Sequence, residues 1–117
     1  MGNFQKLRVW QIAKELAVNI YKLTSNQTFS RDLGLRDQIQ RSAVSVPSNI
    51  AEGDELETDK QSIRHFYIAK DSAAELLTQL IIAHEIGYID REIKDNLVNE
   101  CRIISVMLLK LIRARGI

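Results

Sequence analysis

Apolar residues return every three or four positions along nearly the whole chain, and one proline and five glycines are all that punctuate its 117 residues. That spacing belongs to the α-helix and leaves little room for anything else. The last segment states it most clearly. Ile93, Leu97, Cys101, Ile104, Leu108 and Leu111 advance by 4, 4, 3, 4 and 3 positions, a heptad seam. A first helix is expected from about Lys6 to Thr24, with Val9, Ile12, Leu16, Ile20 and Leu23 in one stripe widened by Trp10, Ala13 and Ala17. Ser25-Asn26-Gln27-Thr28 breaks it with side chains that compete for backbone hydrogen bonds. Phe29 then anchors a short connection, with Ser30 as the cap of a brief turn ending at Gly34.

In the second helix, Leu35, Ile39, Ala43, Val46 and Ile50 are separated by 4, 4, 3 and 4 residues and keep phase across Pro47. Proline removes a donor and clashes with the preceding turn. Retained phase therefore favours a kinked continuous helix over a break, loosening at Gly53. Thr58 and Gln61 form a capping box that opens a third helix running to Gly87, with Ile63, Phe66, Ala69, Ala73, Leu76, Leu80 and Ala83 on its core face. Asp90 caps the last helix. No segment shows strand alternation. The spacing predicts an all-α, up-down-up-down antiparallel four-helix bundle, kinked at Pro47, forming one domain over residues 1–117.

These helices carry more apolar residues than one seam needs. Val98, Ile103, Val106, Met107 and Ile112 lie off the last helix's seam, and Leu77, Ile81 and Ile82 off the third's. A bundle helix requires roughly three apolar positions in seven. The excess is either a wide core stripe or a surface covered by other copies, and self-association is the favoured expectation. The longest apolar run is Leu80-Ile81-Ile82-Ala83, far short of a membrane span, so no membrane partner is expected. The first residues lack the apolar stretch of a secretion signal, and the single cysteine agrees with a reducing cytoplasm.

No catalytic, metal or cofactor constellation emerges, and an enzyme is not expected. Neither His65 nor His84 completes the Glu-x-x-His pairs of di-metal bundles, and His84-Glu85-Ile86-Gly87-Tyr88 has tyrosine where a zinc protease needs its second histidine. Cys101 sits on an apolar seam and reads as a small hydrophobe. Glu52, Asp54, Glu55, Glu57 and Asp59 crowd one connection without the spacing of a calcium loop, which favours a solvated turn. Net charge is +1, so bulk charge names no partner. Local clusters matter more: Lys6, Arg8 and Lys14; Arg31, Arg36 and Arg41; Lys110, Arg113 and Arg115. Of these, Arg36, Arg41, Lys110, Arg113 and Arg115 are the candidates for nucleic-acid contact. For the last three, favourable charge at a helix C-terminus is the competing explanation.

The segment Gln38-Ile39-Gln40-Arg41-Ser42-Ala43-Val44-Ser45-Val46-Pro47-Ser48-Asn49-Ile50-Ala51-Glu52-Gly53 resembles the signature of the four-helix bundle family named for proteins encoded in 23S rRNA intervening sequences. Further matches run through Phe4, Leu7, Val9-Trp10-Gln11 and Ala13, then Gly34-Leu35, then Phe66, Ile68-Ala69-Lys70, Ser72, Glu75-Leu76 and Thr78-Gln79-Leu80. The resemblance implies a small bundle assembling as a ring-like homopentamer. It also implies kinship with the accessory protein of diversity-generating retroelements, a basic pentamer that binds nucleic acid and a reverse transcriptase. The chain departs from the pattern at Gln40-Arg41, where many members carry two arginines, at Asp71-Ser72, where glycine is frequent, and at Leu77, a commonly acidic position. Arg41, Ser45, Asn49 and Glu52 are the motif's polar members and share one helix face at spacings of 4, 4 and 3. Either they support the kinked helix and its subunit contacts, which is the favoured reading, or they form a recognition face with Arg41 on phosphate. The expected function is a non-enzymatic homo-oligomeric scaffold with RNA or a nucleic-acid enzyme as partner. The alternative is an adaptor for a partner peptide or protein, with no nucleic-acid affinity.

Overall fold

A computed structural model describes residues 3–56 and 58–116. Five α-helices follow a short 3-10 turn at Phe4–Lys6: α1 (Arg8–Thr24), α2 (Gln27–Arg31), α3 (Leu33–Glu55), α4 (Asp59–Glu85) and α5 (Arg91–Gly116). No strand occurs among the described residues. The four long helices pack as a bundle in the order α1, α3, α4, α5, with α1 and α5 meeting least closely.

The local chemistry of each helix end explains most boundaries. Thr58 accepts from the Gln61 amide at 3.3 Å to start α4, and Asp90 accepts from the Ile93 amide at 2.8 Å to start α5. Helix α4 closes in a Schellman motif: the Tyr88 amide reaches the Ala83 carbonyl at 2.8 Å, the Gly87 amide reaches His84 at 3.0 Å, and Gly87 takes φ +89°.

Three boundaries differ from expectation. The first long helix starts at Arg8, after the extended Leu7, and carries no capping side chain. In the first connection Asn26 caps α2 through the Phe29 amide at 3.0 Å, and Asp32 caps α3 through Leu35 at 3.1 Å. Ser30 lies inside α2, its hydroxyl donating to the Asn26 carbonyl at 2.7 Å, and α3 passes through Gly34 rather than beginning after it. Helix α3 also continues past Pro47 and Gly53 to Glu55.

One apolar cluster draws on every helix, with Ile20, Phe29, Ile39, Val46, Ile50, Phe66, Leu76, Leu80, Ile104 and Leu108 fully enclosed. Val98 and Ile112 belong to this core, and Leu77, Ile81 and Met107 pack half-buried against it. The excess expected for a partner therefore narrows to Ile82, Ile103 and Val106 of that set, exposed at 45%, 43% and 54%.

Each end of the bundle has its own fastening. At one end Phe29 meets Tyr88 edge-on at 5.3 Å, and the Tyr88 hydroxyl donates to Asp32 at 2.8 Å. The Leu35 amide and then this hydroxyl hold the Asp32 carboxyl below its usual range. At the other end Arg115 donates to the buried Asp54 at 2.6 Å and lies over the Phe66 ring at 5.3 Å from its centre. Gly53 is required there by contact, since a Cβ would sit 2.7 Å from Phe66 Cε1.

The two glycines of α3 should respond in opposite ways. Gly53→Ala overpacks Phe66 and should lower the free energy of urea unfolding by about 1–3 kcal/mol. Gly34→Ala, exposed with its nearest neighbour at 3.9 Å, should raise it by about 0.4–1 kcal/mol.

Candidate functional site

The motif's polar residues face α4 across a continuous chain of hydrogen bonds. Ser45 Oγ lies 2.8 Å from Ser72 Oγ. Asn49 Nδ2 donates to the Ser45 carbonyl at 2.9 Å and to Ser45 Oγ at 3.1 Å. Asn49 Oδ1 then has only acceptor capacity, so His65 Nδ1, at 3.0 Å, carries the proton between them. Glu52 approaches the same ring nitrogen at 3.8 Å. Below this chain the Ser62 hydroxyl donates to the Gly53 carbonyl at 2.6 Å. Above it Ser42 reaches Glu75 at 3.4 Å.

Helical register produces this arrangement. Ser45, Asn49 and Glu52 repeat at one turn along α3, and Ser62, His65 and Ser72 present the matching face of α4. Polar groups at a helix interface must be partnered or carry a desolvation cost. Here each of Ser45, Asn49 and His65 satisfies another. The side-chain bonds serve the Ser45 carbonyl rather than the Ala43 carbonyl that Pro47 frees, so their role is to join α3 to α4.

Arg41 does not join the chain. It is exposed, one turn beyond Ser45, and has no hydrogen-bond or ionic partner among the described residues. An open groove between α3 and α4 is lined by Gln38, Asp71, Ala74, Glu75, Thr78 and Ile82, and Arg41 is not part of its lining. The motif face therefore divides into a structural part and one outward cation.

The other candidates also separate. Arg36 is engaged with its neighbour Asp37 at 3.3 Å. Arg115 is held by Asp54 and Phe66, so it is not a free cation. Lys110 and Arg113 are exposed near the end of α5. Sequence reasoning did not pair Lys110 with Arg8. The fold brings both to one groove, with Leu7, Val9, Met107 and Leu111 as its apolar lining. Only tertiary packing joins positions so distant along the chain.

The remaining titratable groups have ordinary structural roles. His84 Nδ1 lies 3.1 Å from the Ile89 carbonyl and helps fasten the turn between α4 and α5. Burial, with Glu100 adjacent, pushes the Cys101 thiol up to about 12, which suppresses the nucleophilic thiolate. Glu100 itself is held above its usual range by burial and by repulsion from Glu15. Among the described residues no three metal-ligating side chains converge. Of the acidic group between α3 and α4, Glu57 lies outside the described residues. Asp54 is buried against Arg115 rather than solvated.

A family model described as 23S rRNA-intervening sequence protein matches residues 5–110. The chain is also similar to a protein of unknown function from the S23 ribosomal protein family of Bacteroides thetaiotaomicron, whose crystal structure was determined at 1.70 Å. The two share 28% identity with a TM-score of 0.82, over 89% of this chain and 97% of that one. No curated protein matches.

Two measurements check this division of roles. Asn49→Ala leaves His65 Nδ1 without its acceptor and removes one of the two side-chain partners of Ser45, and should lower unfolding free energy by about 1–3 kcal/mol, whereas exposed Arg41→Ala should change it by less than about 0.5 kcal/mol. At pH 8 the Cys101 thiol should react with an aromatic disulfide reagent only at the rate of global unfolding, becoming fast in denaturing urea.

Proposed function

The chain belongs to the family of 23S rRNA-intervening sequence proteins, and from that premise we propose that it is a non-enzymatic, self-associating helical-bundle scaffold that contacts RNA. Its frame is an up-down-up-down antiparallel bundle of one domain in which Pro47 bends α3. The meeting of Asp32 with Tyr88 at one end and of Asp54 with Arg115 at the other supports that direction for the helices. The absence of catalysis is favoured by the positive tasks of the candidate groups: His84 holds a turn, His65 bridges two helices, and Cys101 is a buried thiol.

The observation that carries self-association is the spread of large exposed apolar side chains. Val18 and Tyr21 on α1, Ile82 on α4 with Ile86 just past its end, and Ile103 and Val106 on α5 are each 43–54% exposed. Their presence on three of the four long helices supports cover by other copies of the chain. On the family resemblance we take the assembly to be a ring of five, and the single cysteine supports a place in the reducing cytoplasm. Such a ring repeats the exposed cations Arg41 and Arg113 around its circumference, so a protomer of net charge +1 offers RNA phosphates a patterned array.

Sedimentation velocity over a hundredfold concentration range, without and with a labelled structured RNA, tests both parts. Assembly well above 13.4 kDa and affinity that weakens steeply as salt rises are expected. Arg41→Ala should leave the assembly intact and reduce RNA affinity together with its salt dependence. A 13.4 kDa particle at every concentration overturns the scaffold. No RNA affinity even at low salt leaves a protein-only adaptor in its place.

A further inference from the structure

The groove between the start of α1 and the end of α5 has an apolar floor, Leu7, Val9, Met107 and Leu111, and two cations, Arg8 and Lys110. From Leu7 to Lys14, and from Met107 to Gly116, the sequence contains no carboxylate. Among the described residues neither Arg8 nor Lys110 has an ionic partner. Helix α1 begins here without an acidic residue in its first turn and without a capping side chain. A cation at an uncapped helix N-terminus opposes the helix dipole, so this end of the protomer favours added negative charge.

The opposite mismatch occurs at the end of α3. Its last turns carry Glu52, Asp54 and Glu55 with no basic residue, against the negative end of that dipole. Arg115 answers Asp54 alone. Glu52 is exposed and Glu55 partly so, and beside them the half-buried Leu56 lines a small hollow with Gln61, Arg64, His65 and Ile68. From Glu52 to Asp59 the sequence holds no cation, the nearest along the chain being Lys60 and Arg64 of α4, and the basic group facing Glu52 is His65, with Nδ1 at 3.8 Å.

We propose that the α1–α5 groove receives the acidic end of α3 from a second copy of this chain, with Leu56 entering the apolar floor and Glu52 and Glu55 meeting Arg8 and Lys110. The occupant follows from complementarity in both charge and polarity. An RNA backbone matches the cations but brings nothing apolar to the floor, and the lining has no aromatic face on which a base could stack. The end of α3 supplies carboxylates and an apolar side chain together.

The geometry of such a contact is restrictive. The Asp54–Arg115 pair places the end of α3 at the same end of the bundle as the end of α5, and the groove places the start of α1 there too. Groove and acidic tip therefore lie at one level but on different helix pairs. Copies joined groove to tip stand side by side in the same direction, each using two different surfaces. That is a heterologous contact, which closes into a ring when its rotation permits. The proposal rests on the self-association reading and adds which surfaces meet.

Charge reversal tests it by sedimentation equilibrium. Arg8→Glu with Lys110→Glu, and separately Glu52→Lys with Glu55→Lys, should each raise the concentration of half-assembly by about tenfold or more. The protein carrying all four substitutions should return to within about threefold of the original, because opposite charges again meet. Arg8→Glu combined with Glu55→Lys repeats the comparison with fewer changes, and circular dichroism verifies that every variant is helical. Unchanged assembly in either double variant, or folded four-fold and two-residue swaps that restore nothing, overturns the proposal while leaving self-association standing. A monomeric original protein overturns both. Assembly that persists in Arg8→Glu with Lys110→Glu while affinity for a labelled oligouridylate falls assigns the groove to nucleic acid, and also overturns the proposal.

Discussion

Everything in this molecule depends on the contact between α3 and α4. It is the most extensive helix pairing in the bundle, and in it a run of side-chain hydrogen bonds lies beside the apolar core. Phe66, Leu76, Ile39, Val46 and Ile50 supply the non-directional part. Apolar burial favours closeness without choosing a register. The direction-dependent part comes from Ser45, Ser72, Asn49 and His65, whose bonds form only when the two helices are correctly offset. Sliding by one turn would leave the buried Ser72 hydroxyl and the half-buried Ser45, Asn49 and His65 without these partners, at a cost of about 1–3 kcal/mol for the buried group. The core supplies stability, and the polar chain selects the alignment.

That division accounts for the family motif in physical terms. Three of its four polar members lie against α4, where Asn49 and Ser45 complete one another and Glu52 approaches His65. Glycine at position 53 belongs to the same contact, because Phe66 occupies the space a side chain would need. Arg41 is the exception. A guanidinium held outward with no internal partner among the described residues contributes little to the protomer, which is why the proposed RNA contact is placed on it.

The helices were legible because their determinants are local. Thr58, Asp90 and Gly87 sit where short-range capping rules place them, and the seam of α5 from Leu97 to Leu108 is buried as its spacing indicates. The first connection was harder, since Ser30 was one of several residues able to cap and the stronger Asn26 and Asp32 took both starts. Gly53 looked like a helix end because nothing in its neighbours reveals an aromatic ring arriving from α4. Ile93 fits the heptad yet is 37% exposed, because the seam begins before α5 meets its neighbours. The candidate site was legible as residue types and not as groupings. Arg115 disappeared into an internal ion pair, and Arg8 joined Lys110, both through contacts that no local pattern encodes.

The pairing of Arg115 with Asp54 ties an interior carboxylate to a residue in the final turn of the last helix. Fraying of the last turn of α5 as far as this arginine would release none of the described core side chains. It would nevertheless strand a negative charge inside the protein and strip the cation from the face of Phe66. The loosened residues at that end include the packing around Gly53, so damage would spread along α3 from its tail. Local opening is therefore asymmetric: the contact at the Tyr88 end joins the turn after α4 to the start of α3, whereas those at the Arg115 end open together with the last turn of α5.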